Sequence, residues 1–130
     1  MILLIEDDRE TRITLAEILR DEGYEVVECQ DGRQAFDRLR DPQNVSLILL
    51  DLRMPVMDGW EFRRLQAADP KLARIPVIVL TADTHIEREG IRFDRLIRKP
   101  LDLDDLLSAI SALVGPKTDA GPGGSAPAPG

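Results

Sequence analysis

The sequence predicts a doubly wound α/β domain, a five-stranded parallel sheet with helices on both faces. Three observations carry this. Five short apolar runs alternate with amphipathic stretches along the chain. The third run, Ser46 to Leu50, is nearly all aliphatic, as expected of a parallel strand buried on both faces. The intervening stretches space their apolar residues helically, so each can form a right-handed crossover over the sheet.

Strand one is expected at Ile2 to Ile5. Helix one follows at Arg9 to Glu22, with Ile13, Leu15, Ala16, Ile18 and Leu19 as a broad apolar stripe and Gly23 as its stop. Strand two is expected at Glu25 to Cys29. Asp31 caps helix two, which carries Ala35, Phe36 and Leu39 and ends before Pro42. After strand three, Asp58 can cap helix three. Phe62, Leu65 and Ala68 are assigned to its inner side, and Asp69-Pro70 to its end. Strands four and five are expected at Val77 to Leu80 and Arg95 to Arg98. The last helix starts near Asp102, with Leu103, Leu106, Leu107, Ile110, Leu113 and Val114 following the helical period. From Gly115 the composition turns to Gly, Pro, Ala and Ser. The chain is therefore divided into a domain, 1–114, and a disordered tail or linker, 115–130.

The 130 residues are 43% hydrophobic and 32% charged, as in a soluble globular protein long enough to bury a core without staples. A net charge of −7 argues against unaided binding to nucleic acid or an anionic membrane. Cys29 is the only cysteine, so no internal disulfide can form, which suits a reducing compartment. The apolar run Met1 to Ile5 is too short for a signal-peptide core, and no stretch approaches a membrane span. The expected location is cytoplasmic.

The chemistry gathers at strand ends. Strand one runs into Glu6-Asp7-Asp8, strand three into Asp51, strand four into Thr81-Ala82 and strand five into Lys99-Pro100. Strand C-termini share one edge of a parallel sheet, and ligands bind there. Glu6, Asp7, Asp51, Thr81 and Lys99 are therefore expected to converge. Two like charges 4 Å apart repel by roughly 4 kcal/mol at an effective dielectric of 20, which calls for a compensating cation. An oxygen-only donor set suits Mg²⁺ or Mn²⁺. A carboxylate at Asp51 can act as a nucleophile toward a phosphoryl donor, with Lys99 and the Thr81 hydroxyl receiving the added charge. Singly, each residue has a plainer reading: Glu6-Asp7-Asp8 as a solvated turn capping helix one, Asp51 as a loop cap, Thr81 as a strand residue, Lys99 as a surface cation.

The runs Ile5-Glu6-Asp7-Asp8, Asp51-Leu52-Arg53-Met54-Pro55-Val56-Met57-Asp58-Gly59, Leu80-Thr81-Ala82 and Lys99-Pro100 resemble the receiver domain of bacterial two-component response regulators over Met1 to about Val114. The resemblance implies a flavodoxin-like strand order, 2-1-3-4-5. It makes Asp51 the phosphoacceptor, Thr81 the switch hydroxyl and Lys99 the phosphate-pairing lysine. It makes Asp7 a direct metal ligand beside Asp51 and the Arg53 carbonyl, with Glu6 acting largely through water. It also implies a Lys99–Pro100 bond that is often cis. The implied partners are a sensor histidine kinase or histidine phosphotransfer protein and a downstream protein.

The chain departs from the family pattern in two places. Leu96 stands where receivers usually carry Tyr or Phe, with Phe93 nearby at the wrong offset. The segment between Ala82 and Arg98 is short, so the helix between strands four and five is expected to be short or irregular. Arg53 and Asp83 should flank the mouth of the site and are expected to pair across it and slow water attack on the phosphoryl group. His85, the only histidine, is read as solvent-facing, and Trp60 as a packing residue near enough to Asp51 to report metal binding.

The expected function is a phosphorylation-controlled signalling switch that catalyses only its own phosphorylation and dephosphorylation, with output by protein–protein contact. The alternative is a receiver-fold scaffold acting without regulated phosphorylation. A phosphatase with an aspartate nucleophile would want a second Asp where Arg53 stands. A dinucleotide site would want glycines where Glu6-Asp7-Asp8 stands.

Overall fold

A computed structural model describes residues 1–41, 44–51, 59–82 and 93–114, with backbone only for 59–63. Five strands run in chain order: β1 (Ile2–Ile5), β2 (Val26–Cys29), β3 (Leu47–Asp51), β4 (Val77–Thr81) and β5 (Arg95–Arg98). They form one sheet, in the order β2-β1-β3-β4-β5, and every pairing is parallel. The helices are α1 (Arg9–Asp21), α2 (Gly32–Arg38), α3 (Gly59–Ala68), α4 (Pro70–Ala73) and α5 (Leu103–Val114). The doubly wound fold and strand order expected from the sequence are both found.

Strand alternation sorts the aliphatic side chains into two cores. Leu3, Ile5, Ile48, Leu50, Val77 and Val79 point to one face and pack with Ala35 and Leu39 of the α2 region and Leu72 of α4. Ile2, Leu4, Leu47, Leu49, Ile78 and Leu80 point to the other and pack with Leu15, Ala16 and Leu19 of α1 and Leu106, Ala109 and Ile110 of α5. All residues of β1, β3 and β4 are buried, which explains why these segments read as unbroken apolar runs.

Local signals set the helix ends. Asp8 caps α1 by accepting from the Thr11 amide at 2.9 Å, and Asp31 caps α2 by accepting from the Gln34 amide at 2.9 Å. Asp102 accepts from the amides of Asp104 and Asp105 at 2.9 and 3.2 Å and so caps α5. Gly23 follows α1 with φ of 97°, while its own amide and that of Tyr24 close onto the carbonyls of Arg20 and Leu19. This paired closure needs a left-handed residue, hence the glycine.

The inward placements expected for Leu65, Ala68 and Leu103 are corrected. Leu65 of α3 is 44% exposed and Ala68 is exposed, whereas Gln66 is fully buried. Gln66 Nε2 donates to the Leu72 and Ile75 carbonyls at 2.8 and 3.2 Å, so a polar side chain takes the inward position by satisfying buried backbone acceptors. Asp69-Pro70 ends α3 but also starts the short α4: Asp69 caps it and Pro70 occupies its first turn, where a missing amide does no harm. Leu103, assigned to the buried stripe of α5, is exposed. The side chains of Trp60 and Phe62, the Asp58 cap, the expected helix between β4 and β5, and the tail at 115–130 lie outside the described residues. Among the described residues, no helix is long and apolar enough to cross a membrane.

Candidate functional site

The parallel register delivers the polar residues to one edge. Asp51 ends β3 opposite Leu80, Thr81 ends β4 opposite Arg98, Glu6 follows β1 and Lys99 follows β5. The ladder continues past the strands: the Glu6 amide donates to Cys29 O at 3.0 Å and the Lys99 amide to Thr81 O at 2.9 Å. The side chains at the edge are thus carried by fixed backbone. The Lys99–Pro100 peptide is cis.

Glu6, Asp51 and Thr81 are only 1%, 3% and 1% exposed, although each is polar. Asp7 is exposed at the rim. One carboxylate oxygen from each of Glu6, Asp7 and Asp51 lies within 4.8 Å of the others, close enough to share one cation. Lys99 Nζ sits 3.4 Å from Glu6 Oε1 and 3.5 Å from Asp51 Oδ2, bridging the two buried carboxylates. Glu6 Oε2 also accepts from the Asp8 amide at 3.2 Å.

The electrostatics mark a site under strain of charge. Burial pushes Glu6 up to about 7, helped by a hydrogen bond shared with Asp51 and by the charge of Asp51; the Asp8 amide and Lys99 pull the other way. Burial works against the Lys99 ammonium, but attraction to Asp51 and Glu6 outweighs it and holds Lys99 above the ordinary lysine range. Hydrogen bonds from the Thr11 hydroxyl and amide hold Asp8 below the usual carboxylate range. Three carboxylates within reach of one another, two of them paired with Lys99, form an oxygen-rich donor set that fits a hard divalent cation.

Of the residues assigned from sequence, Glu6, Asp7, Asp51 and Lys99 come together, with Thr81 buried at the end of the neighbouring strand. Arg53, Asp83 and His85 lie outside the described residues. Leu96 is half-buried and packs with Phe93 against the same core; Phe93 precedes β5, at the opposite end from Thr81. Asp8 does cap α1, so the plainer reading of the acidic run holds for that residue.

Sequence reasoning missed Arg12. Its Nη1 donates to the Glu6 carbonyl at 3.0 Å, while its Nε lies 3.4 Å from Glu28 Oε1. A signal was present, since Arg12 falls in line with Leu15, Ala16 and Leu19 on the inward stripe of α1. A cation there implies a nearby polar partner.

An open, all-parallel sheet in the order 2-1-3-4-5, with a lysine-bridged acidic cluster at the strand C-termini, defines a flavodoxin-like α/β protein whose candidate site lies where ligands bind in such sheets. The response regulator receiver domain model matches residues 2–111, and the chain belongs to that family. The transcriptional regulatory protein CpxR of Escherichia coli (strain K12) is 39% identical over 106 residues, which cover 82% of this chain and 41% of CpxR. The response regulator receiver protein CpdR of Brucella abortus (strain 2308) is 34% identical over 119 residues, 87% of this chain and 95% of CpdR. The receiver domain of the sensor histidine kinase PA1611 from Pseudomonas aeruginosa PAO1, solved with a magnesium ion coordinated in its active site cleft, aligns with a TM-score of 0.80 at 31% identity, covering 88% of this chain and 96% of that one. The chain spans less than half of CpxR but nearly all of CpdR.

Proposed function

We propose that the protein is a phosphorylation-controlled signalling switch whose Asp51 accepts a phosphoryl group from a histidine kinase or histidine phosphotransfer protein. The observation that carries this reading is the position of Asp51: buried, at the end of a central strand, 3.5 Å from Lys99 and within 4.8 Å of two further carboxylates. An Asp51 oxygen attacks phosphorus, the P–N bond of the donor phosphohistidine breaks, and the electron pair stays on the imidazole nitrogen. Glu6, Asp7, Asp51 and the Arg53 carbonyl would hold a divalent cation (Mg²⁺, or Mn²⁺), which when bound would supply positive charge to offset that of the phosphoryl group. Lys99 pairs with the added negative charge once Asp51 carries the group, and the Thr81 hydroxyl donates a hydrogen bond to it. Water attack on the acyl phosphate resets Asp51. The group thereby biases a two-state equilibrium, and residues 1–114 pass the change to a protein partner, with 115–130 as a tail or linker.

A scaffold without regulated phosphorylation is the second reading. It is favoured by Leu96, which has no ring to swing inward when Thr81 moves. Incubation with a small-molecule phosphodonor, with and without Mg²⁺, followed by intact mass, separates the two. The switch requires a Mg²⁺-dependent gain of one phosphoryl group that Asp51→Asn abolishes. No gain, under conditions that label another receiver, leaves the scaffold.

A further inference from the structure

We propose that Arg12 is a positioning residue for the cation site: its guanidinium clamps the Glu6 carbonyl to Glu28 and so fixes the turn that carries Glu6 and Asp7. The inference rests on the metal reading given above and adds to it a residue that touches neither cation nor phosphoryl group.

The geometry is a strap across the edge of the sheet. Arg12 Nη1 donates to Glu6 O at 3.0 Å, and Arg12 Nε faces Glu28 Oε1 at 3.4 Å. Glu28 lies on the edge strand β2 and is itself held by Arg20, whose Nη1 sits 3.2 Å from Glu28 Oε2 and whose Nη2 donates to Val26 O at 2.9 Å. Arg12 is 13% exposed and Glu28 27%, so solvent weakens this contact less than it would an open surface pair. Only a forked, planar group can reach a carbonyl with one nitrogen and a carboxylate with another.

The target of the clamp matters. The Glu6 carbonyl belongs to the peptide that joins the two acidic residues, so its orientation sets where Asp7 leaves the chain. On the other side, the Glu6 amide is tied to Cys29 O at 3.0 Å, and Asp8 is committed to capping α1. Asp7 is the exposed member of the triad, so its placement depends on the backbone that carries it. Freed of Arg12, the peptide between Glu6 and Asp7 gains room to rotate, and the three carboxylates lose their shared focus.

Positioning and simple charge make opposite demands. Removing a cation near a divalent-ion site should tighten binding if Arg12 acts only through its charge. Removing a clamp should weaken it, by about tenfold for a supporting contact of this kind. The experiment is calorimetric Mg²⁺ titration of the wild type, Arg12→Ala, Arg12→Lys and Arg20→Ala, with circular dichroism to confirm folding. Arg12→Lys, which keeps the charge but loses the fork, guards against misfolding of the alanine variant. Weaker Mg²⁺ binding in both Arg12 variants, with a smaller loss in Arg20→Ala, which acts only through Glu28, is the expected result. Unchanged or tighter binding in folded Arg12→Lys overturns the inference while leaving the metal site standing. Absence of Mg²⁺ binding by the wild type overturns the metal reading, and the inference with it.

Discussion

The bodies of β1, β3 and β4 and the residues at their C-terminal ends are buried to the same degree and built on opposite terms. Leu3, Leu4, Leu49 and Leu50 are fully enclosed by aliphatic neighbours on both faces of the sheet. One residue beyond, Glu6 and Asp51 are just as enclosed but carry carboxylates, share one lysine, and include a group pushed up to about 7. Burial stabilises the first set and works against the second. The strand bodies provide the rigidity that forces like charges into one place, and the ends hold that tension at one edge of the sheet.

The largest effect should come from breaking the strand body. Leu49→Ala removes a fully buried side chain from the α1/α5 core and should destabilise the protein by about 2–5 kcal/mol in chemical denaturation. A loss under 1 kcal/mol would mean that the core collapses around the gap and that the strands are less rigid than the site demands.

The next effect has the opposite sign. In the metal-free protein the raised Glu6 group favours folding below its unfolded value of 4.5, and that contribution is lost as pH rises through about 7. Glu6→Gln should remove this loss and leave the variant more stable than wild type at pH 8 in EDTA, by on the order of 1–2 kcal/mol after solvent screening at the open side of the cluster. Lys99 adds stability that persists until the pH exceeds the ordinary lysine range, so it does not mask the change. Added Mg²⁺ should stabilise wild type at pH 8 more than the variant, which keeps Asp7 and Asp51 but lacks the third carboxylate. Parallel denaturation curves from pH 5 to 8 read this directly, and a pH dependence equal in both proteins would remove Glu6 as its source.

Cys29 offers a smaller, kinetic contrast. Burial pushes its thiol up to about 11, although it ends β2, paired with Ile5 and beside the acidic turn. Alkylation of the native protein at pH 8 should therefore be far slower than of the urea-unfolded chain, with mass spectrometry as the readout. Comparable rates would show that β2 opens at the edge, where Glu28 and the two arginines are placed.

How far the sequence was legible follows the same division. Aliphatic runs broken by polar residues at their ends specify a parallel sheet and its active edge together, so β1, β3 and β4 and the gathering of Glu6, Asp7, Asp51 and Lys99 could be read in advance. Gln66 could not, because its inward position depends on two carbonyls presented by a turn six to nine residues on. Leu103 misled because helical spacing gives the stripe but not how far the neighbouring elements extend to cover its first turn. Arg12 was half legible: its alignment with Leu15, Ala16 and Leu19 points it inward, but which carbonyl and carboxylate it meets depends on the fold.

The smallest expected effect completes the comparison of enclosed and open charge. Arg40 Nη2 and Asp37 Oδ1 are 3.4 Å apart, the same separation as Lys99 Nζ and Glu6 Oε1, yet the first pair is open to water on both sides and the second is anchored on a carboxylate that solvent barely reaches. Distance alone would rank them equally. Water screens the exposed pair and side-chain ordering offsets its attraction, so Arg40→Ala should change stability by less than about 0.5 kcal/mol. Lys99→Met should do more than this in the metal-free protein, since it strands two buried carboxylates without their shared cation. Denaturation of both variants in EDTA tests the ranking, and equal losses would place the site's electrostatics nearer to those of the open surface than its burial implies.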